Sequence, residues 1–335
     1  MKYNFCTLFD RNYIYKGLAL HTSLLHHRPD FHLWILCMDD ITFNILEKLK
    51  LEKASLIRID EFEDEDLKNV KLTRTVAEYC WTCTPSLPLY VLSKNPSIEM
   101  ITYLDADLFF FNSPNPVYEE LGDNSIMIIE HRFPDHLKHF EVNGIYNVQM
   151  MVFRNDAFGL ECLKWWTERC NELCYYRLED GKMGDQKYLD DWPTRFKRVH
   201  VLQHKGAGVA LWNIMKYKVT KGEGQVFIDD VPLIFYHFHQ FNLLKSGSYD
   251  FGNKGVYILT SESIELIYQP YVAEIERSVA RVKEIDRRFN YGFRYIEKDS
   301  PIDKVLKLPR KFKDRLIRMN KSLNERIKNA IILFR

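Results

Sequence analysis

Two aspartates, one residue apart, interrupt the run Met100-Ile101-Thr102-Tyr103-Leu104-Asp105-Ala106-Asp107-Leu108-Phe109-Phe110-Phe111. The rest of the run reads as a buried strand. Burying two like charges without partners costs several kcal/mol or more, so the pair needs a cation or dense hydrogen bonding. A divalent metal is the simplest compensation, and an ion held at a strand's end can grip a diphosphate as well. On a regular strand Asp105 and Asp107 would share one face. If the strand ends there, one carboxylate binds metal directly and the other reaches a sugar or a bound water. The plain alternative is a turn acid followed by a helix cap.

Three further clusters carry polar chemistry. In Gly184-Asp185-Gln186-Lys187-Tyr188-Leu189-Asp190, Asp185 reads either as a reactive carboxylate or as the N-cap of a short helix, with Trp192-Pro193 marking a helix end. In Phe235-Tyr236-His237-Phe238-His239-Gln240-Phe241, His237 and His239 alternate with aromatics and fall on one face of a strand. A single strand histidine is usually a satisfied core residue, whereas two on one face suggest a ligand. His204-Lys205-Gly206-Ala207-Gly208 reads as a flexible turn whose backbone amides can approach an anion. Cys80-Trp81-Thr82-Cys83 has CxxC spacing, but no second pair completes a zinc or redox site.

These residues need a scaffold, and the pattern supplies one. Strands are expected at Tyr3 to Leu8, His32 to Met38, Ala54 to Ile59 and Met100 to Asp107. Helices are expected from Tyr13 to about His27, from Ile41 to Leu49 and from Thr75 onward, with Glu61 to Asp66 an exposed acidic segment. Strand–helix–strand repetition is the opening of a parallel α/β sheet. Ser125 to Glu130, Val148 to Phe153, Val199 to Leu202 and Leu233 to Phe238 read as later strands, and Phe158 to Leu173 and Pro270 to Ile285 as helices. At 335 residues the chain can bury a large core. The net charge of +1 hides an asymmetry, since Lys304 to Arg335 is about +9 and the body correspondingly near −8. An acidic body argues against nucleic-acid binding. The N-terminus lacks a signal-peptide apolar segment, no run reaches about eighteen apolar residues, and seven scattered cysteines suit a reducing compartment. A cytoplasmic protein is the expectation.

Taken in order, the clusters resemble the GT-A-fold glycosyltransferases, especially relatives of glycosyltransferase family 8. The resemblance runs from about Tyr3 to Gln240 and is anchored on Tyr103-Leu104-Asp105-Ala106-Asp107. It implies an α/β fold with a Rossmann-like, mostly parallel mixed sheet, over residues 1–300, followed by a basic helical tail over 301–335. It implies Mn2+ or Mg2+ held by Asp105 and Asp107 against the diphosphate of a nucleoside-diphosphate sugar, with His237 completing the site. Phe5-Cys6-Thr7-Leu8-Phe9-Asp10-Arg11-Asn12-Tyr13 looks like the family's pocket for base and ribose, which assigns Thr7, Leu8 and Tyr13 to the nucleotide along with Ala106. Asn147-Val148-Gln149 resembles the segment beside the sugar, and Gly184-Asp185-Gln186 the pair on the reacting face. Ala207 to Asn213 looks like a neighbouring acceptor loop, and Gly206 is taken as a further donor contact. The chain departs from the pattern at Gln240, where Gly is expected, and between Glu78 and Thr82, which hold no basic residue. Arg74, Lys205 and Lys245 are then the candidates for the diphosphate.

The implied reaction moves a sugar, with retention of configuration and UDP as the expected carrier, to a hydroxyl of a glycan or lipid-linked acceptor. The tail adds to this. Phe312, Leu316, Met319, Leu323, Ile327, Ile331 and Phe334 follow helical spacing among lysines and arginines, a pattern that either lies on anionic lipid, placing the protein at the inner membrane face, or packs on the acidic body. Two rivals come from other classes. A haloacid-dehalogenase-like phosphohydrolase also uses Asp-x-Asp and a later Gly-Asp, but Phe109 and Leu189 stand where it resembles Thr or Val and an acid. A sugar-nucleotide fold without catalysis would serve as a scaffold.

Overall fold

The computed structural model describes residues 3–28, 30–253 and 255–295, so the tail over 301–335 lies outside the described residues. These residues divide into a main body, which runs to Asn242 and resumes from Tyr249 to Phe293, and a small unit of Leu243–Ser248 with Arg294 and Tyr295. In the small unit the Lys245 amide donates to the Arg294 carbonyl and its ammonium sits over the Tyr295 ring.

The body opens as expected with β1 (Tyr3–Phe9), α1 (Ile14–His27), β2 (Phe31–Cys37), α2 (Asp40–Leu49) and β3 (Ala54–Arg58), the strands pairing in parallel. Phe5, Leu33 and Ile35 are fully buried, which fixes the register because a one-residue slip would turn them to the other face. Asp39 caps α2 by accepting from the Thr42 amide. The acidic segment is largely exposed, as expected, and it is helical. It folds into α3 (Ile59–Phe62) and α4 (Glu65–Lys71), which keep Glu61, Glu65 and Asp66 in solvent while burying Phe62 and Leu67. The long α5 (Val76–Lys94) starts at a reciprocal box between Thr75 and Glu78, satisfying amides that the first helical turn leaves without partners.

β4 (Met100–Leu104) then returns to pair with β1 on the side away from β2. It stops at Leu104, three residues earlier than expected, because the chain turns at Asp105. The Asp105 amide makes a last ladder bond to the Gln149 carbonyl at 2.8 Å, and the Leu108 amide closes a turn on the Asp105 carbonyl at 3.2 Å. After this turn β5 (Leu108–Phe110) leaves the main sheet. The chain continues through α6 (Asn115–Leu121), β6 (Ile126–Glu130), β7 (Tyr146–Arg154), α7 (Ala157–Glu172), α8 (Trp192–Arg195) and β8 (Val199–Val201). Trp192 closes a short 3-10 helix, Gln186–Asp191, as expected, and also opens α8, with Pro193 in the first turn, where its missing amide costs nothing.

The main sheet has the order β3-β2-β1-β4-β7-β6-β8, with β7 antiparallel to both neighbours and the other pairs parallel. It is the mixed, mostly parallel sheet between helices that the sequence led us to expect. Chain connections leave β1 and β4 toward opposite edges, so the crevice at their C-terminal ends is a topological switch point, the place where open α/β sheets bind ligands.

Past the main sheet come β9 (Val209–Ala210), a three-stranded ribbon of β10 (Val219–Gly222), β11 (Gln225–Ile228) and β12 (Val231–Pro232), and then β13 (Phe235–His237). β13 pairs antiparallel with β5 and parallel with β9, setting His237 opposite Leu108 and beside Ala210. After α9 (Ser261–Ser263), α10 (Gln269–Ile285) covers α1, and Tyr271 stacks on Phe238 with ring centres 3.6 Å apart. No described helix is long and apolar enough to cross a membrane.

Candidate active site

The β5–β13 register brings a histidine from late in the chain to the two aspartates. The Phe238 amide donates to the Asp107 carbonyl at 2.9 Å. The His237 Nε2 then lies 3.0 Å from Asp107 Oδ1 and 3.7 Å from Asp105 Oδ2. One ligand atom from each of Asp105, Asp107 and His237 falls within 4.8 Å of the others. Trp212 and His239 pack edge-on against the His237 ring. The donor set fits Mn2+ or Mg2+: two hard carboxylate oxygens suit either ion, and the imidazole favours the transition metal. His237 Nδ1 is buried without a hydrogen-bond partner among the described residues.

A lysine completes the cluster. Lys16, in the first turn of α1, is 5% exposed and places Nζ 3.4 Å from Asp107 Oδ2. Burial by itself would raise the Asp107 carboxyl, but the Lys16 ammonium and His237 hold it well below the usual carboxylate range. For His237 burial opposes protonation, and the carboxylates of Asp107 and Asp105 reverse that and raise its pKa. Asp105 is pushed up to about 6, by burial first and then by Asp107, against the lowering effect of His237 and of the Tyr103 hydroxyl that donates to it at 3.1 Å. His239, beside His237, is pushed down to about 3 by desolvation and by the charge of His237, although the residue has an exposed face.

A second carboxylate faces the first pair. Asp185 is 6% exposed and stands at the N-cap of a short 3-10 helix, Gln186–Asp191, as one sequence reading has it, but its side chain makes no capping hydrogen bond and is left for the site. Trp166 donates Nε1 to its carbonyl and fixes the backbone. Burial, with the charge of Asp105 adding to it, pushes the Asp185 carboxyl up to about 7, although its own amide, Thr84 and the Gln186 amide pull it down. Beside it, Gln186 Nε2 donates to the Asn143 carbonyl at 2.9 Å and Oε1 accepts from Asn147 Nδ2 at 3.3 Å. Asn147 Nδ2 also lies 3.1 Å from His131 Nε2, and His131 Nδ1 lies 3.1 Å from the Ile145 carbonyl. The ring is therefore assigned as the neutral tautomer protonated on Nδ1, in keeping with burial pushing it down to about 4.

β7 is bulged at this point. Its partners on β6 jump from Met127–Val152 to Ile129–Asn147, which re-aims side chains where the strand passes the aspartates. Gln149, inside the bulge, is fully buried, and both atoms of its side-chain amide lack partners among the described residues. The Thr7 hydroxyl at the end of β1 is buried and unpartnered in the same way. Orphaned polar atoms of this kind are rare in folded cores and favour sites that receive a ligand.

No protein-family model matches the chain. Among curated proteins it is 34% identical to the uncharacterised protein YfnD of Bacillus subtilis (strain 168) over 295 residues, covering 87% of this chain and 94% of YfnD. It is 32% identical to the uncharacterised protein YfnF of the same strain over 299 residues, covering 86% of this chain and 96% of YfnF. The chain belongs to the YfnD and YfnF family. Among solved structures it resembles the bifunctional glycosyltransferase WbbM at 12% identity, with a TM-score of 0.50, over 86% of this chain and 52% of WbbM. That likeness is one of fold: a glycosyltransferase-like GT-A architecture, here with an Asp105, Asp107 and His237 cluster that could hold a metal ion.

In this member of the YfnD and YfnF family the remaining expected residues fall as follows. Thr7 and Leu8 are buried at the end of β1, and Tyr13, half-open to solvent, precedes α1 with its ring 4.2 Å from the Lys16 ammonium. Ala106 is buried in the aspartate turn. Gly206 holds two elements together: its carbonyl accepts from the Ile234 amide at 2.7 Å, and a Cβ there would meet the Pro232 oxygen at 2.0 Å. Gly208, at φ +82°, packs against Ile129, whose Cγ2 a Cβ there would meet at 2.6 Å, and Gln149 Nε2 lies 3.5 Å from the same point. Of the basic candidates, Arg74 donates to the Asn171 carbonyl and stacks on Tyr175, while Lys205 is half-exposed between Asp229 and Asp230. Burial pushes the Cys80 thiol to about 12 and raises Cys83 further, the opposite of what a metal-binding or redox pair requires. Lys16 is the cation that sequence reasoning missed. Its one signal was a charge inside Tyr13-Ile14-Tyr15-Lys16-Gly17-Leu18-Ala19-Leu20, an otherwise mostly apolar helix start.

Proposed function

We propose that the protein is a metal-dependent glycosyltransferase that takes a sugar from a nucleoside diphosphate, UDP in the first instance, and passes it to a hydroxyl of a glycan or lipid-linked acceptor with retention of configuration. The observation that carries this reading is the meeting of His237 Nε2 with Asp105 and Asp107 at the sheet's switch point. Asp105, Asp107 and His237 would hold the ion. A bound divalent cation would stabilise the negative charge that grows on a departing diphosphate. Asp185 lies close enough to Asp105 for their charges to interact. Its carboxylate can support positive charge at the sugar carbon, as carboxylates do in glycoside hydrolysis. Gln186, held at both ends of its amide, orients the sugar. Thr7 and Gln149 have unpaired polar atoms to offer the donor.

A phosphohydrolase of the haloacid-dehalogenase type is less well supported, since Leu189, where it would want its later acid, is fully buried in the core. Thermal unfolding with Mn2+ or Mg2+ and UDP, GDP, CDP or ADP tests the proposal. One diphosphate, UDP by expectation, should stabilise the fold only when metal is present, by about 2.7 kcal/mol at a hundredfold excess over its Kd. If no nucleoside diphosphate stabilises it with either metal, and simple phosphate esters are cleaved instead, the reading fails.

A further inference from the structure

The buried lysine divides the labour of Asp107 in a way that a metal site alone does not require. Asp107 Oδ2 is 3.4 Å from Lys16 Nζ, and Oδ1 is 3.0 Å from His237 Nε2. The Lys16 and Asp107 side chains are only 7% and 9% exposed, whereas Asp105 is 28% exposed. Water therefore screens the lysine–aspartate pair poorly, and the Oδ1 edge is the part of Asp107 left for an ion. Charge counting then becomes informative. Two carboxylates and a divalent ion sum to zero. The same group with Lys16 sums to +1, with the Lys16 and Asp107 ends of it shielded from solvent. An ion entering alone meets a fixed like charge on the far side of its own ligand. A diphosphate entering with the ion brings two or three negative charges and relieves that excess.

We infer that Lys16 is a positioning cation that couples the two occupants of this site, so that the metal binds tightly only together with a diphosphate. This rests on the transferase reading and adds to it a stated order of dependence, the ion and the diphosphate each raising the affinity for the other by the same factor. Lys16 also answers a gap in the sequence pattern, because α5 carries no basic residue between Glu78 and Thr82 and Gln240 stands where a glycine was expected. A lysine on α1 reaches the aspartate turn from the opposite wall of the crevice. Its ammonium is seated over the Tyr13 ring, and the whole residue is 5% exposed.

The test measures Mn2+ affinity by electron paramagnetic resonance, with and without UDP, in the full chain. In the unaltered protein UDP should tighten Mn2+ at least about tenfold, within the usual range of coupling between sites. Lys16→Gln keeps a donor for Asp107 but removes the charge. It should bind Mn2+ alone several-fold more tightly and lose most of the tightening by UDP. Lys16→Arg restores the charge and should restore the coupling. Circular dichroism confirms that each variant is folded before it is measured. Unchanged Mn2+ affinities in Lys16→Gln, or a loss of coupling in Lys16→Arg as large as in Lys16→Gln, would overturn the role of Lys16 while leaving the transferase reading in place. Absence of any Mn2+ or UDP binding by the unaltered protein would sink both.

Discussion

Asp185 shows most plainly what the site demands of single residues. A carboxyl pushed up to about 7 by burial and by Asp105 ionises above about pH 4 in the unfolded chain but keeps its proton up to about pH 7 in the folded one. Folding therefore loses stability as pH rises from about 4 to about 7, and the full penalty, on the order of a few kcal/mol, persists above pH 7. Asp185→Asn removes the titration and should make the protein more stable at pH 8 while abolishing sugar transfer. Denaturant unfolding at pH 4.5, 6 and 8 checks this. Parallel stability profiles for the two proteins would show that the carboxyl is not strained. A gain in stability from losing a polar side chain is expected only where function, not folding, keeps it there. Asp185 was legible in the sequence as a carboxylate after a glycine. Its burial was not, because that depends on Trp81, Trp166 and α5 arriving from distant segments. Lys16 was illegible for the same reason. A lysine near a helix start normally faces water, and only a partner 91 residues away explains its burial.

At the scale of elements, the site depends on β13 being set against β5 with His237 level with Leu108. The loop from His204 to Gly208 holds that register from behind, through the Gly206 carbonyl and the Ile234 amide. Gly206→Ala would drive a methyl into the Pro232 carbonyl. It should cost about 1–3 kcal/mol and weaken Mn2+ binding as β13 shifts. Gly222→Ala, where the added carbon meets the Phe227 ring at 3.5 Å, should change stability by less than about 0.5 kcal/mol. Unfolding and Mn2+ titration of both variants separate the cases, and equal effects would remove Gly206 from the account. The element pattern was largely legible because β1 to β4 are short apolar runs between turn signals. Where the sequence misled, tertiary demands had intervened. β4 ends early because the chain turns at Asp105, and Asp107 is buried beside Lys16 and His237 rather than along the strand. The bulge in β7 leaves no mark in the residues themselves. Nor does the chain from His131 through Asn147 to Gln186, since neither exists until β6, β7 and the loop before Gln186 meet.

Across the whole molecule, one topological fact concentrates these features. The chain goes out from β1 to β3, comes back to β4 and goes on toward β7, so a crevice opens where α1 begins beside the aspartate turn and the bulge. Lys16 comes from one wall, Asp105 and Asp107 from the floor, and His237 from a second sheet. The family relationship to YfnD and YfnF spans nearly their full length, so the same crevice is expected in both. The most direct test of the central claim is to soak crystals with MnCl2 and UDP and record anomalous scattering at the manganese edge. The expected result is one strong peak within about 2.0–2.4 Å of a carboxylate oxygen of Asp105 or Asp107 and of His237 Nε2, with the diphosphate beside it. Manganese bound elsewhere, or UDP bound with no peak among these three side chains, would contradict it.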